Sequence, residues 1–134
     1  MATLPNTAGY TFGAALTWTQ GEYGYLISEV ESFPSIATVA PANQFLPNNG
    51  DRLGLVIINT SLNNIFVGLS NQVSSLFGIL LTANGGSLTA NVRQDLTLPT
   101  RAWFGFSPSG VPTTIYVLEI IGVKQLPPRT APGF

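Results

Sequence analysis

From residue 51 to residue 123 the chain runs in short apolar segments, and Asn, Ser, Gly or Pro breaks each one. LGLVIIN (53–59) is a near-continuous Val/Ile/Leu run, the pattern of a strand covered on both faces. TSLN (60–63) is a turn, and NIFVGLS (64–70) follows with Ile65, Val67 and Leu69 on one face. NQVSSLF (71–77) reads as a loop, GILLT (78–82) as a short strand and ANGG (83–86) as a hairpin-type turn. SLTANV (87–92) alternates, with Leu88, Ala90 and Val92 inward. RAWFGFS (101–107) puts Ala102, Phe104 and Phe106 on one face. PSGVP (108–112) turns the chain into TTIYVLEIIGV (113–123), the longest strand. No segment sustains an apolar period of 3.6, so helix is expected to be scarce. The expectation is an all-β fold, an antiparallel β-sandwich or small jelly-roll-like barrel, over residues 51–123.

The flanks have a different texture. Residues 1–50 mix aromatics with Pro34, Pro41 and Pro47, and proline removes a ladder donor. They read as an extended N-terminal arm with one or two edge strands, Tyr25 to Val30 and Gln44 to Leu46 being the candidates. Residues 124–134, KQLPPRTAPGF, form a Pro-rich C-terminal tail. Arms of this kind lay apolar side chains on neighbouring subunits, and Tyr10, Phe12, Trp18, Phe33, Phe45, Leu126 and Phe134 are the candidate interface residues. Deleting residues 1–45 is expected to leave a folded sandwich that no longer joins its assembly.

Charged residues are 8% of the 134, against roughly 25% in an average soluble protein. The polar fraction is Asn, Thr, Ser, Gln and Gly. A nearly neutral surface favours association, and stable subunit interfaces are poor in charge. A homo-oligomer is expected. The five basic residues, Arg52, Arg93, Arg101, Lys124 and Arg129, form no stripe, and the net charge is −1, so no nucleic-acid partner is expected. The longest apolar run, LFGILL, is far short of the ~18 residues a spanning helix needs, so no membrane partner is expected either. MATLPNTAGYTFGAAL lacks the basic start of a signal peptide. Without cysteine there is no disulfide or thiolate metal site.

Chemistry is sparse. No histidine is present, which removes the usual general base and most zinc sites. The six carboxylates are Glu22, Glu29, Glu31, Asp51, Asp95 and Glu119, and no spacing pairs two of them for acid–base work. No enzymatic activity, catalytic residue, metal or cofactor is expected. Glu119 shares the face of Ile115, Val117, Ile121 and Val123 and needs a partner there. Arg52, Arg93 and Arg101 are available, and Arg101 is taken as the candidate for a structural ion pair. NNGD (48–51) loosely suits calcium but reads as a turn. Asn59-Thr60-Ser61 matches a glycosylation sequon. Gly85-Gly86 has no phosphate-loop context. Trp18, Trp103, Tyr10, Tyr23, Tyr25 and Tyr116 are the aromatics a sugar platform would need.

One order of segments is more specific. An apolar strand ends in Asn-Thr, then come IFVGLS, a Ser-rich loop closing in GILLT, a Gly-Gly turn, LPTRAWFGFS, a Gly/Pro turn and TTIYVLEI. Over residues 52 to about 121 this resembles small β-sandwich structural proteins of tailed bacteriophages. It departs from their pattern at Thr82-Ala83-Asn84, where those proteins commonly carry a proline. The resemblance implies a non-enzymatic virion protein assembled in the host cytoplasm, of the capsid decoration or minor head type. Its partners would be the major capsid protein or other virion proteins and copies of itself, a trimer among the options. The alternative it implies is a fibre- or tail-associated module that binds a host receptor or glycan.

Overall fold

The structure is a computed structural model, and it describes residues 25–124. Its strands are β1 (Tyr25–Ser32), β2 (Ser35–Ile36), β3 (Asn43–Leu46), β4 (Arg52–Ile58) and β5 (Ile65–Gly68). They continue with β6 (Ile79–Leu81), β7 (Ser87–Asn91), β8 (Trp103–Phe106), β9 (Thr113–Thr114) and β10 (Tyr116–Lys124). A single helical turn, α1 (Val92–Asp95), and a 3₁₀ turn at Leu98–Thr100 lie between β7 and β8.

Two four-stranded sheets, β1-β10-β4-β7 and β3-β8-β5-β6, and the short pair β2-β9 account for all ten strands. The first strand pairs with the last, the second with the ninth, and so on inward to β5 with β6. The chain is thus one long antiparallel hairpin folded at the loop between β5 and β6. Rolling that hairpin brings β10 against β4 and β8 against β5. This wrap is a jelly roll, and the all-β sandwich expected from the strand spacing is what forms.

The core lies between the sheets. Leu55, Ile57 and Val117 from one sheet meet Leu46, Ile65, Val67, Leu81 and Trp103 from the other, with Ile36 and Ile115 joining them. Cross-strand register puts Val117 beside Ile57, and Ile57 beside Leu88. Alternation then sends Val56, Ile58, Leu118 and Ile120 to the outer face, where they are half-buried.

The compact unit spans Glu29–Ile121, so it begins well before residue 51. β3 is the edge strand beside β8, and Ile36 and Leu46 belong to the core. Deleting residues 1–45 would therefore remove β1, β2 and most of β3 and would not leave an intact sandwich. The described residues outside the unit, Tyr25–Ser28 and Gly122–Lys124, are the outer ends of β1 and β10.

Two turns behave differently from their sequence signals. ANGG does not close a hairpin, because β6 pairs with β5 and β7 pairs with β4. It carries the chain from one sheet to the other, with Asn84 at φ 61° and Gly85 at φ 119°. Val92 leaves the sheet because Asn91 caps α1, its Oδ1 accepting from Gln94 N–H at 3.0 Å. Asp95 Oδ2 accepts from Asn91 N–H at 2.9 Å in return, a reciprocal cap.

Candidate interaction surface

The loop at the fold of the hairpin is built to present side chains. Val73 is buried and seats the loop on the sheet between Gly68 and Gly78, where a Cβ at Gly68 would strike it and one at Gly78 would crowd it. Beyond it Ser74 and Phe77 exchange backbone hydrogen bonds of 2.9 and 3.1 Å, closing a two-residue turn. Ser74 Oγ accepts from Leu76 N–H at 3.2 Å. Leu76, at the apex of that turn, is 95% exposed, and Phe77 is 63% exposed. An apolar knob held by its own backbone loses little entropy on contact.

The knob leads into β6, the outermost strand of its sheet. Ile79 and Leu80 are 44% and 48% exposed, while Leu81 is buried. Leu80 stands beside Phe66, and Phe66 beside Phe106, on the outer face. Phe104 pairs with Gly68 on the same face and is half-buried, like Phe66 and Phe106. Outer faces of antiparallel sandwiches are normally polar. This one carries three phenylalanines and a leucine, and from Asn64 to Asn91 no side chain is ionisable.

Sequence reasoning placed Ala102, Phe104 and Phe106 on one face, and they share the outer one; Trp103 and Gly105 face the core. It missed that SSLFGILL presents Leu76, Phe77, Ile79 and Leu80. The available signal was an apolar segment next to a Ser-rich loop with no Lys, Pro or alternation to mark a protected edge.

Of the named interface residues, Phe33 is exposed, with its ring 5.6 Å from that of Tyr116 and tilted by 59°. Phe45 instead packs against the core. Tyr10, Phe12, Trp18, Leu126 and Phe134 lie outside the described residues. Tyr116 donates to Glu31 Oε2 at 2.9 Å. That hydrogen bond, with partial desolvation and the carboxylate charge, raises the Tyr116 pKa above its usual 10.0.

Glu119 is paired with Arg52, not Arg101. Arg52 Nε donates to Glu119 Oε1 at 2.7 Å, and both residues are buried. Arg101 is exposed and contributes its backbone carbonyl, which accepts from Arg52 Nη1 at 3.2 Å. Arg52 stands at the start of β4, where the register with β10 shifts, and this brings it to Glu119.

The other polar motifs are occupied by the fold. Asn49 Oδ1 accepts from Asp51 N–H and Asn48 Oδ1 from Ala102 N–H, so NNGD is a turn whose two asparagine oxygens are already engaged. The sequon Asn59 is fully buried, and its Nδ2 donates to Asn63 O and Leu81 O. Among the described residues no three His, Cys, Asp or Glu side chains gather as metal ligands. Trp103 is buried, its Nε1 donating to Leu98 O at 3.3 Å, and is no part of an exposed aromatic platform.

No family model, curated protein or solved structure matches the chain. The likeness to tailed-phage sandwich proteins thus rests on the order of strand and turn types.

Proposed function

We propose that the protein is a non-enzymatic structural component of a bacteriophage virion, a decoration or minor head protein that holds its place by apolar contact. The observation that carries this reading is the surface itself. Twelve large hydrophobic side chains are exposed among the described residues, from Leu26 and Val30 through Phe77 and Leu80 to Val111. Charged side chains are few, and two of them, Arg52 and Glu119, are consumed inside the fold. A lone soluble domain normally shows the opposite balance. A jelly roll is also a common scaffold of capsid proteins, a supporting analogy and no more than that.

The proposed mechanism is cementing. The sandwich acts as a rigid knob, and the neutral outer face of the β3-β8-β5-β6 sheet docks on the particle. The terminal segments add further apolar contact with neighbouring subunits. Buried apolar area contributes roughly 25 cal/mol per Å² before association costs, and repetition over a lattice multiplies the effect. Deleting residues 1–24 tests the arm contribution, because it spares all ten of the described strands. The truncated protein is expected to keep its β-sheet circular dichroism and lose occupancy on the particle. Full occupancy would remove the arms from the mechanism.

A further inference from the structure

We infer that strand β6 is a self-pairing edge, and that two copies of the protein join their β3-β8-β5-β6 sheets through it around a two-fold axis. The inference deepens the homo-oligomeric part of the proposed function by naming the surface and its partner, a second copy of this chain.

Among the described residues the edge is open. β6 pairs with β5 alone, in a register without a bulge, Ile65 with Leu81 through Val67 with Ile79. Among the described residues no strand pairs with its other side. Natural edges are blunted by shortness, Lys, Pro, a bulge or an inward charge, and of these Ile79–Leu81 has only its short length. Free backbone N–H and C=O groups along a strand edge are best satisfied by another extended strand.

Charge selects the partner. No ionisable side chain lies between Asn64 and Asn91, so a charged partner would bury its charges unpaired against this edge. A second β6 brings none. A two-fold axis also places identical neutral apolar patches against each other and closes the assembly, whereas a head-to-tail contact would leave edges open.

The area is adequate. Given their exposure, Leu76, Phe77, Ile79 and Leu80 leave roughly 450 Å² accessible per copy, so pairing covers on the order of 900 Å². A specific interface needs about 1,000 Å² in total, and the strand backbone supplies the remainder. The antiparallel arrangement sets each Leu76–Phe77 knob against the partner's chain just past its Leu81, so the knobs are covered together with the new strand pair.

The test uses the full-length protein. Sedimentation equilibrium is expected to show a dimer, and Ile79→Lys/Leu80→Lys is expected to weaken it ~100-fold by burying charge at the seam. Circular dichroism checks that the variant stays folded. The chain has no cysteine, so Leu80→Cys with a short bismaleimide reads the geometry directly. Rapid cross-linking to dimer is expected there, and none at Val111→Cys, an exposed site on another loop. A wild-type monomer at high concentration, an open-ended polymer, or a Leu80→Cys protein that cross-links no faster than Val111→Cys overturns the inference. Because no particle is involved, these results do not depend on whether the protein binds a virion.

Discussion

Arg52 and Glu119 form a buried ion pair in which every nitrogen of the guanidinium group donates a hydrogen bond. Nε reaches Glu119 Oε1 at 2.7 Å, Nη1 reaches Pro99 O and Arg101 O, and Nη2 reaches Pro47 O at 2.8 Å. One side chain at the start of β4 thus ties the turn after β3, the 3₁₀ turn before β8 and the middle of β10. Arg52→Ala is expected to cost about 3–5 kcal/mol, since it strands a buried carboxylate and three carbonyls. Glu119→Gln keeps an acceptor for Nε and should cost less. Urea unfolding of the two variants gives the ranking, and equal midpoints would contradict it.

Asn59 performs the same service at the other end of β4. Its Nδ2 holds Asn63 O and Leu81 O, and its Oδ1 accepts from Ser61 N–H and Oγ–H. Asn59→Ala should lose about 2–3 kcal/mol. Asn59→Asp should lose more, because a carboxylate would face two carbonyl oxygens it cannot satisfy. Thermal melts at neutral pH decide the order.

Two glycines should respond unequally to alanine. A Cβ on Gly86 would meet the backbone of Thr82, with the carbonyl oxygen at 2.6 Å, in the crossover from β6 to β7. On Gly68 it would meet only the Val73 side chain, at 2.7 Å, and no backbone atom. Gly86→Ala should cost several kcal/mol, and Gly68→Ala about 1–3. Gly50, with open space around it, supplies the neutral control.

Tyr116 links pH to the outer face of the β10 sheet. Its pKa is raised in the fold by the bond to Glu31, so the native state holds the phenolic proton more tightly than the unfolded chain does. This contribution is complete below pH 10 and fades as pH climbs through the raised value. Tyrosinate absorbance should show one tyrosine ionising late, and Tyr116→Phe should abolish that phase. If the late phase survives the substitution, the bond is not what raises the pKa.

Strands with strong β-branched character and clear turn chemistry could be read from the sequence, and β4, β5, β7, β8 and β10 all appear where LGLVIIN, NIFVGLS, SLTANV, RAWFGFS and TTIYVLEIIGV lie. What local pattern does not encode is pairing. ANGG looks the same whether it closes a hairpin or crosses between sheets, so the first-with-last wrap was invisible. The need of Glu119 for a partner was legible from its apolar neighbours. Which arginine answered depended on a register shift in the β4–β10 pair. The tip loop was hidden for a similar reason, because an apolar segment reads as core until the strand beside it is known to be the last one.

The proposal makes the protein part of a phage particle, and gradient sedimentation of the purified protein with purified particles of such a phage tests that central claim most directly. The protein should comigrate with the particles at a fixed ratio. Its occupancy should hold from about 0.05 to 1 M salt, because a contact between neutral apolar surfaces is not screened. Protein that stays at the top of the gradient, or that salt releases, would contradict the account.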